Sequence, residues 1–148
     1  MTNSFEIHHV NVLVDDLADA VTFYREVLGL PMTATPDQGF PSQFFQFNDR
    51  QQLHMNQLSD SHGLRSHFCL VVDDFMGIYR RARDAKAIDL DVWGKIRRIP
   101  NGKLQMFVRD PSGNLIEIAS QPGAKLDDEV FEAGHAVREV GNYVIHPQ

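Results

Sequence analysis

Two histidines, His9 and His67, and one glutamate, Glu117, are the residues of this chain best suited to hold a metal ion. Both histidines open the same short text. His9-Val10-Asn11-Val12-Leu13-Val14-Asp15-Asp16 returns as His67-Phe68-Cys69-Leu70-Val71-Val72-Asp73-Asp74, at an offset of 58 residues, the mark of a repeated structural unit. Glu117 stands inside the apolar run Leu115-Ile116-Glu117-Ile118-Ala119, where a charge without a partner would be costly. Two imidazoles and one carboxylate form a facial set that leaves open positions on Fe(II), Mn(II) or a similar ion for exogenous oxygens. Other polar groups accompany them. Gln52, His54 and Asn56 alternate along Gln52-Leu53-His54-Met55-Asn56, while Asn11 and Cys69 each follow a repeated histidine by two residues. His54 reads as an acid/base, as a ligand or as a structural hydrogen bond. Cys69 reads as a small hydrophobe, because no cation that would activate its thiol is evident nearby.

These side chains need strands to present them. Residues two apart on a strand share a face, so His9, Asn11 and Leu13 point one way and Val10, Val12 and Val14 the other. In the second copy His67, Cys69 and Val71 oppose Phe68, Leu70 and Val72. The bulkier set belongs under a helix, and the set carrying histidine then lines a hollow. A helix is expected after each copy: Leu17–Leu28 has apolar residues at spacings of three and four, with Asp16 as N-cap and Gly29 as C-cap, and Phe75–Ala87 follows Asp74. Strands are expected at Pro31–Thr35, Gln43–Phe47 and Gln51–Gln57, then at Leu90–Trp93, Lys103–Val108 and Leu115–Ser120, divided by turn signals such as Asn48-Asp49 and Asp110-Pro111-Ser112-Gly113-Asn114. Each half therefore reads βαβββ. The fold class is α+β: a single domain over residues 1–120, made of module one (5–58) and module two (65–120) forming a curved mixed sheet around a cleft. Residues 121–148 form a tail with a short helix expected around Asp127–Ala136.

Composition limits the partners. A chain of 148 residues with net charge −6 is poorly suited to a phosphate backbone, and no run approaches the 18 apolar residues of a membrane span. The basic stretches Arg80-Arg81-Ala82-Arg83 and Lys95-Ile96-Arg97-Arg98 read as solvated faces. One cysteine allows no intrachain disulfide, and the first residues lack the pattern of a secretory signal, which together point to the cytoplasm. Of the remaining histidines, His8 falls on the face opposite His9, His62 and His146 read as solvated, and His135 could reach the hollow if the tail folds over it. Phe44, Trp93 and Phe107 are candidates for an apolar wall or for core.

The texts His9-Val-Asn-Val-Leu-Val-Asp-Asp-Leu, Phe23-Tyr-Arg-Glu-Val-Leu-Gly-Leu30, His67 before Val71-Val72-Asp73-Asp74, and Asp110-Pro-Ser-Gly-Asn-Leu-Ile-Glu117 resemble the vicinal oxygen chelate superfamily over residues 5–120. That superfamily includes glyoxalase I, extradiol dioxygenases, fosfomycin-modifying enzymes, methylmalonyl-CoA epimerase and bleomycin-resistance proteins. The resemblance implies paired βαβββ modules around one divalent metal on His9, His67 and Glu117. Fe(II) or Mn(II) is favoured, with Ni, Zn or Mg as alternatives. It implies a small substrate that chelates through vicinal oxygens, and a homodimer. Glyoxalase-like members add a glutamate on the last strand of module one, where this chain offers Gln52 or His54. Ring-cleaving members carry a histidine close to the place of His54 and a tyrosine where Phe107 stands. Oxygenase chemistry of the ring-cleavage kind is thus narrowly preferred. The alternatives are a lactoylglutathione lyase-like or other lyase or isomerase, and a metal-free protein that sequesters a ligand.

Overall fold

The computed structural model describes residues 7–59 and 66–140; His62 and His146 lie outside the described residues. The chain divides into two compact units, Met1–Gly63 with Asp110–Asn114, and Leu64–Arg109 with Leu115–Gln148. Both are α+β, each built on a mixed sheet. No helix among the described residues is long and apolar enough to cross a membrane.

In the first unit β1 (His9–Val14) leads to helix α1 (Leu17–Thr22), then to β2 (Met32–Thr33), β3 (Ser42–Gln46) and β4 (Gln52–Gln57). The sheet order is β1-β4-β3-β2. Because β1 and β4 run parallel, the chain must cross over between them, and the helix supplies that crossover. Asp16 caps α1 as expected, its Oδ1 accepting from the Asp19 amide at 2.9 Å, and Gln57 Oε1 accepts from the Leu17 amide at 2.8 Å. The expected helix over 17–28 changes character halfway. Residues Phe23–Val27 form a π-helical turn, in which the Leu28 amide reaches back to Phe23 O at 3.3 Å. Gly29, at φ +76°, ends it in the left-handed conformation that a terminating glycine takes without strain. The core lies between helix and sheet, with Val14, Ala20, Tyr24, Phe45, Leu53 and Met55 fully buried.

The second unit repeats the plan with β5 (His67–Val72), α2 (Phe75–Asp84), β6 (Ile88–Asp89), β7 (Arg97–Arg98), β8 (Leu104–Arg109) and β9 (Leu115–Ser120). Its sheet order is β5-β9-β8-β6, with β7 also paired to β8, and β5 runs parallel to β9. Asp74 caps α2 through the Gly77 amide at 2.9 Å. The strand expected at Leu90–Trp93 is absent. Asp89 Oδ1 accepts the amides of Asp91 and Val92 at 3.0 and 2.9 Å, and this side-chain turn ends the strand at Asp89. The expected Pro31–Thr35 strand is likewise cut to Met32–Thr33.

The tail packs on the second unit. Its helix α3 spans Asp128–Glu132, shorter than expected, and buries Val130 completely. Arg80 bonds Asp127 and Glu129 at 2.6 and 2.7 Å, and Arg83 bonds Glu129 at 2.9 Å. The basic stretch at 80–83 is therefore not simply a solvated face: two of its arginines hold the tail. His135 donates to or accepts from the Tyr79 hydroxyl at 3.0 Å, so its ring is committed to α2 of its own unit.

Candidate metal centre

In the second unit the register sets Cys69 opposite Glu117, and Phe107 opposite Glu117 on the other side. His67, Cys69, Glu117, Phe107 and Gln105 therefore occupy one face of the sheet. Ile116 and Ile118 turn to the opposite face and are fully buried. His67 Nε2 lies 3.2 Å from Glu117 Oε2, with side chains 26% and 15% exposed. Gln105 Nε2 donates to the other carboxylate oxygen at 2.7 Å, which holds Glu117 in one orientation. Loss of solvent around its sulfur, and then the neighbouring Glu117 charge, push the Cys69 thiol up to about 11 although the residue keeps an exposed edge. Cys69 is thus a poor nucleophile at neutral pH. Two aromatic rings flank His67: Phe107 meets it edge-on with centroids 5.3 Å apart, and Trp93 lies 5.9 Å away. Trp93 stacks on Phe107 at 6.2 Å while remaining 45% exposed.

The first unit carries a related cluster. Here His9 pairs with Gln52, Asn11 with His54, and Phe44 with His54. Setting the two registers side by side makes His9 the counterpart of His67, Asn11 that of Cys69, His54 that of Glu117 and Phe44 that of Phe107. The position open between Gln52 and His54 resolves in this frame: His54 stands where Glu117 does. Its ring lies between two others, stacked on Phe44 at 3.6 Å and on His9 at 4.0 Å. Gln52 Oε1 is 3.1 Å from His54 Nε2, and Gln52 Nε2 donates to Gln46 Oε1 at 3.0 Å. Gln52 therefore orients His54 and is itself held. Partial burial, then the charges of His9 and His8, lower the His54 pKa from its ordinary value, so this imidazole is neutral at pH 7. His8 is exposed, and its Nδ1 reaches His9 Nδ1 at 2.9 Å. Alternation along the strand gave no sign of that contact, because His8 precedes the first paired residue. Further along the same face, buried Asn56 has an Oδ1 with no partner among the described residues.

The expected site residues thus stand in two groups, His67 with Glu117 and Cys69 in one unit, His9 with His54, Gln52 and Asn11 in the other. Among the described residues no three His, Cys, Asp or Glu side chains are already arranged to hold an ion. The pair in the second unit fits two positions of a metal's coordination: one nitrogen and one carboxylate oxygen within 3.2 Å, the carboxylate oriented from behind.

The motif Asp110–Asn114 has a different task, which sequence reasoning did not separate from the metal site. Asp110 is buried, and its Oδ2 accepts from the hydroxyl of fully buried Tyr24 at 3.0 Å and from Asn114 Nδ2 at 2.8 Å. Asn114 Nδ2 also donates to Leu13 O at 2.7 Å, and the Asp15 amide donates to Ser112 Oγ at 2.8 Å. Burial first, and the Asp110 charge second, raise the Tyr24 pKa well above its ordinary value. The turn is a structural plug for the first unit.

Comparison with known proteins agrees with this plan. The chain is 28% identical over 120 residues, 75% of its length and 94% of the relative's, to the uncharacterized protein YwbC of Bacillus subtilis (strain 168). The crystal structure of lactoylglutathione lyase from Agrobacterium tumefaciens aligns with a TM-score of 0.58 at 25% identity, covering 80% of this chain and 96% of that one. The oxidase ChaP-H2 aligns with a TM-score of 0.60 at 23% identity, covering 81% and 96%. The profile of one family matches residues 6–118. With its duplicated strands and that match, the chain belongs to the Glyoxalase/Bleomycin resistance protein/Dioxygenase superfamily.

Proposed function

We propose that this protein is a metal-dependent enzyme acting on a small substrate that chelates through neighbouring oxygens, with one divalent ion held by His9, His67 and Glu117. The observation that carries the reading is the His67–Glu117 pair, two donors 3.2 Å apart on adjacent strands, whose repeat counterparts His9 and His54 are donors as well. Fe(II) or Mn(II) suits two or three imidazoles with one carboxylate. Once bound, the ion would supply Lewis acidity toward the substrate oxygens.

The chain's own residues then have distinct tasks. Gln105 holds Glu117 in place. With its Nε2–H on Gln52, neutral His54 keeps a lone pair on Nδ1 and can accept a proton from a hydroxyl brought against it. Phe44 stacks on His54 and Phe107 meets His67 edge-on, which gives each histidine cluster one apolar side. Asn56 offers a buried acceptor to a hydroxyl or amine hydrogen. An imidazole where lyase-like members carry a second carboxylate favours oxygenase chemistry of the ring-cleavage kind over proton-shuttling isomerisation. A lyase remains the second reading, supported by the likeness to the Agrobacterium enzyme.

Metal analysis of protein purified without chelator tests the proposal. One ion per chain, lost in His67→Ala, is expected. The Fe(II) form assayed with catechols under O2, against the Ni or Zn form with the methylglyoxal–glutathione adduct, separates the two chemistries. A metal-free preparation that binds an aromatic ligand tightly would overturn the enzyme reading in favour of a sequestering protein.

A further inference from the structure

We infer that the second unit carries another ligand site, unrelated to the histidine clusters, for a small carboxylate with an apolar body. The tail creates it. Beyond α3 the chain turns along the loop before β7, where the Ile96 amide donates to His135 O and the Val137 amide to Ile96 O, each at 2.9 Å. A cavity of about 250 Å³ is left between this segment and the β7–β8 pair, lined by Arg98, Leu104, Leu126, Phe131, Val137 and Arg138. That is just below the usual range of ligand pockets, about 300–1,000 Å³, and suits a small ligand.

Four of the six lining residues are apolar, and the two charged ones are both arginines. Arg98 is held in place by its Nη1 on Gly102 O and its Nη2 on Ala124 O, both at 2.7 Å. Carbonyl dipoles orient the guanidinium without cancelling its charge. Arg138 lies over the Phe131 ring, 4.0 Å from its centroid, an arrangement that steadies a cation but again leaves its charge in place. Arg80, Arg83 and Arg109 of the same unit each meet a carboxylate within 3.0 Å. Among the described residues Arg98 and Arg138 have no such partner. Two uncancelled guanidiniums at an apolar cavity suit a planar, two-oxygen anion, which such forks bind with paired hydrogen bonds. Leu126, Phe131 and Val137 suit its aromatic or short aliphatic body.

The site is distinct from the proposed metal centre. Leu104 alternates with Gln105 along β8, so the cavity opens on the sheet face opposite Glu117. It also depends on residues 124–138, which lie beyond the segment that matches the family.

The test is titration of the full chain with 4-phenylbutyrate and, separately, with its uncharged amide, followed by calorimetry and by methyl NMR. The acid is expected to shift the Leu104, Leu126 and Val137 methyls saturably, and the amide to leave them unmoved. Arg138→Gln removes an exposed side chain with no fold-bearing hydrogen bond among the described residues, and should weaken binding of the acid about tenfold or more. Circular dichroism of that variant verifies that it is folded. Equal binding of acid and amide, unchanged affinity in Arg138→Gln, shifts confined to the surroundings of His67, or no shift at the solubility limit would each overturn the inference.

Discussion

The two units share a strand plan and differ in the side chains that surround its opening histidine. In both, a histidine begins an edge strand that runs parallel to the last strand of its module, and a phenyl ring from the third strand lies beside the cluster. The second unit then sets a carboxylate beside its histidine, whereas the first sets another imidazole. The register is shared, while His54 stands in place of Glu117 and Asn11 in place of Cys69. A carboxylate attracts a cation by charge, and this one is held in one orientation by Gln105. The neutral imidazole of His54 offers only a lone pair, and it is packed between two rings. On the proposed reading, Glu117 is the main anchor of the ion and His54 a supporting group that handles protons.

The strongest way to break this contrast is to remove one donor from each unit. Glu117→Gln should strip the protein of metal to background, as measured by elemental analysis after gel filtration. His54→Gln should retain the ion, with affinity reduced by roughly 10–100-fold, the range found when a supporting group rather than a main ligand is lost. Equal loss in both variants would contradict the division of labour. The converse substitution sharpens it. His54→Glu makes the two units alike, and metal should then resist a competing chelator longer than in the parent.

The loops joining the last two strands of each module form a second contrast. Between β3 and β4, Asn48 Oδ1 accepts the amides of Arg50 and Gln51 at 2.9 Å each, so that turn satisfies itself at the surface. The corresponding turn Asp110–Asn114 is built into the first unit, with buried Asp110 serving Tyr24 and Asn114. Asp110→Ala strands the buried Tyr24 hydroxyl and the part-buried donors of Ser112 and Asn114 and should cost about 3 kcal/mol in denaturant unfolding, whereas Asn48→Ala should cost under about 1 kcal/mol. Similar losses from the two would mean that the turn is not a plug.

Smaller effects are expected on the polar face of the first unit. Asn56→Leu removes a buried oxygen that has no partner among the described residues, so the ligand-free protein should be unchanged or about 1 kcal/mol more stable. A marked loss of stability would show that Asn56 is structurally bonded. The lowered pKa of His54 also has a signed consequence. Below the ordinary histidine value the unfolded chain binds this proton more readily than the folded one, so stability rises with pH up to that value and falls away on acidification. His54→Gln should flatten this part of a metal-free stability profile. A profile of unaltered slope would contradict the lowered pKa.

Much of this was legible in the sequence, because strand alternation and helix capping are local. His9, His67 and Glu117 took the faces that alternation assigned, and Asp16, Asp74 and Gly29 bounded their helices as their chemistry requires. What escaped depended on contacts between distant segments. Alternation put Gln52 and His54 on one face, but only pairing registers could identify His54 as the counterpart of Glu117. The strand at Leu90–Trp93 failed because one side chain, Asp89, captured two amides. The basic run 80–83 looked solvated because the acids that engage it lie more than forty residues later, in the tail.

The proposed function requires that His9, His67 and Glu117 serve a single ion. Pulsed electron paramagnetic resonance on the Mn(II)- or Cu(II)-substituted protein counts coordinated imidazoles directly. At least two imidazoles are expected in the parent and one fewer in His9→Ala, with one ion per chain bound by the parent. A spectrum unchanged by His9→Ala, from an ion that still disappears in His67→Ala, would confine the metal to the second unit and contradict the shared centre.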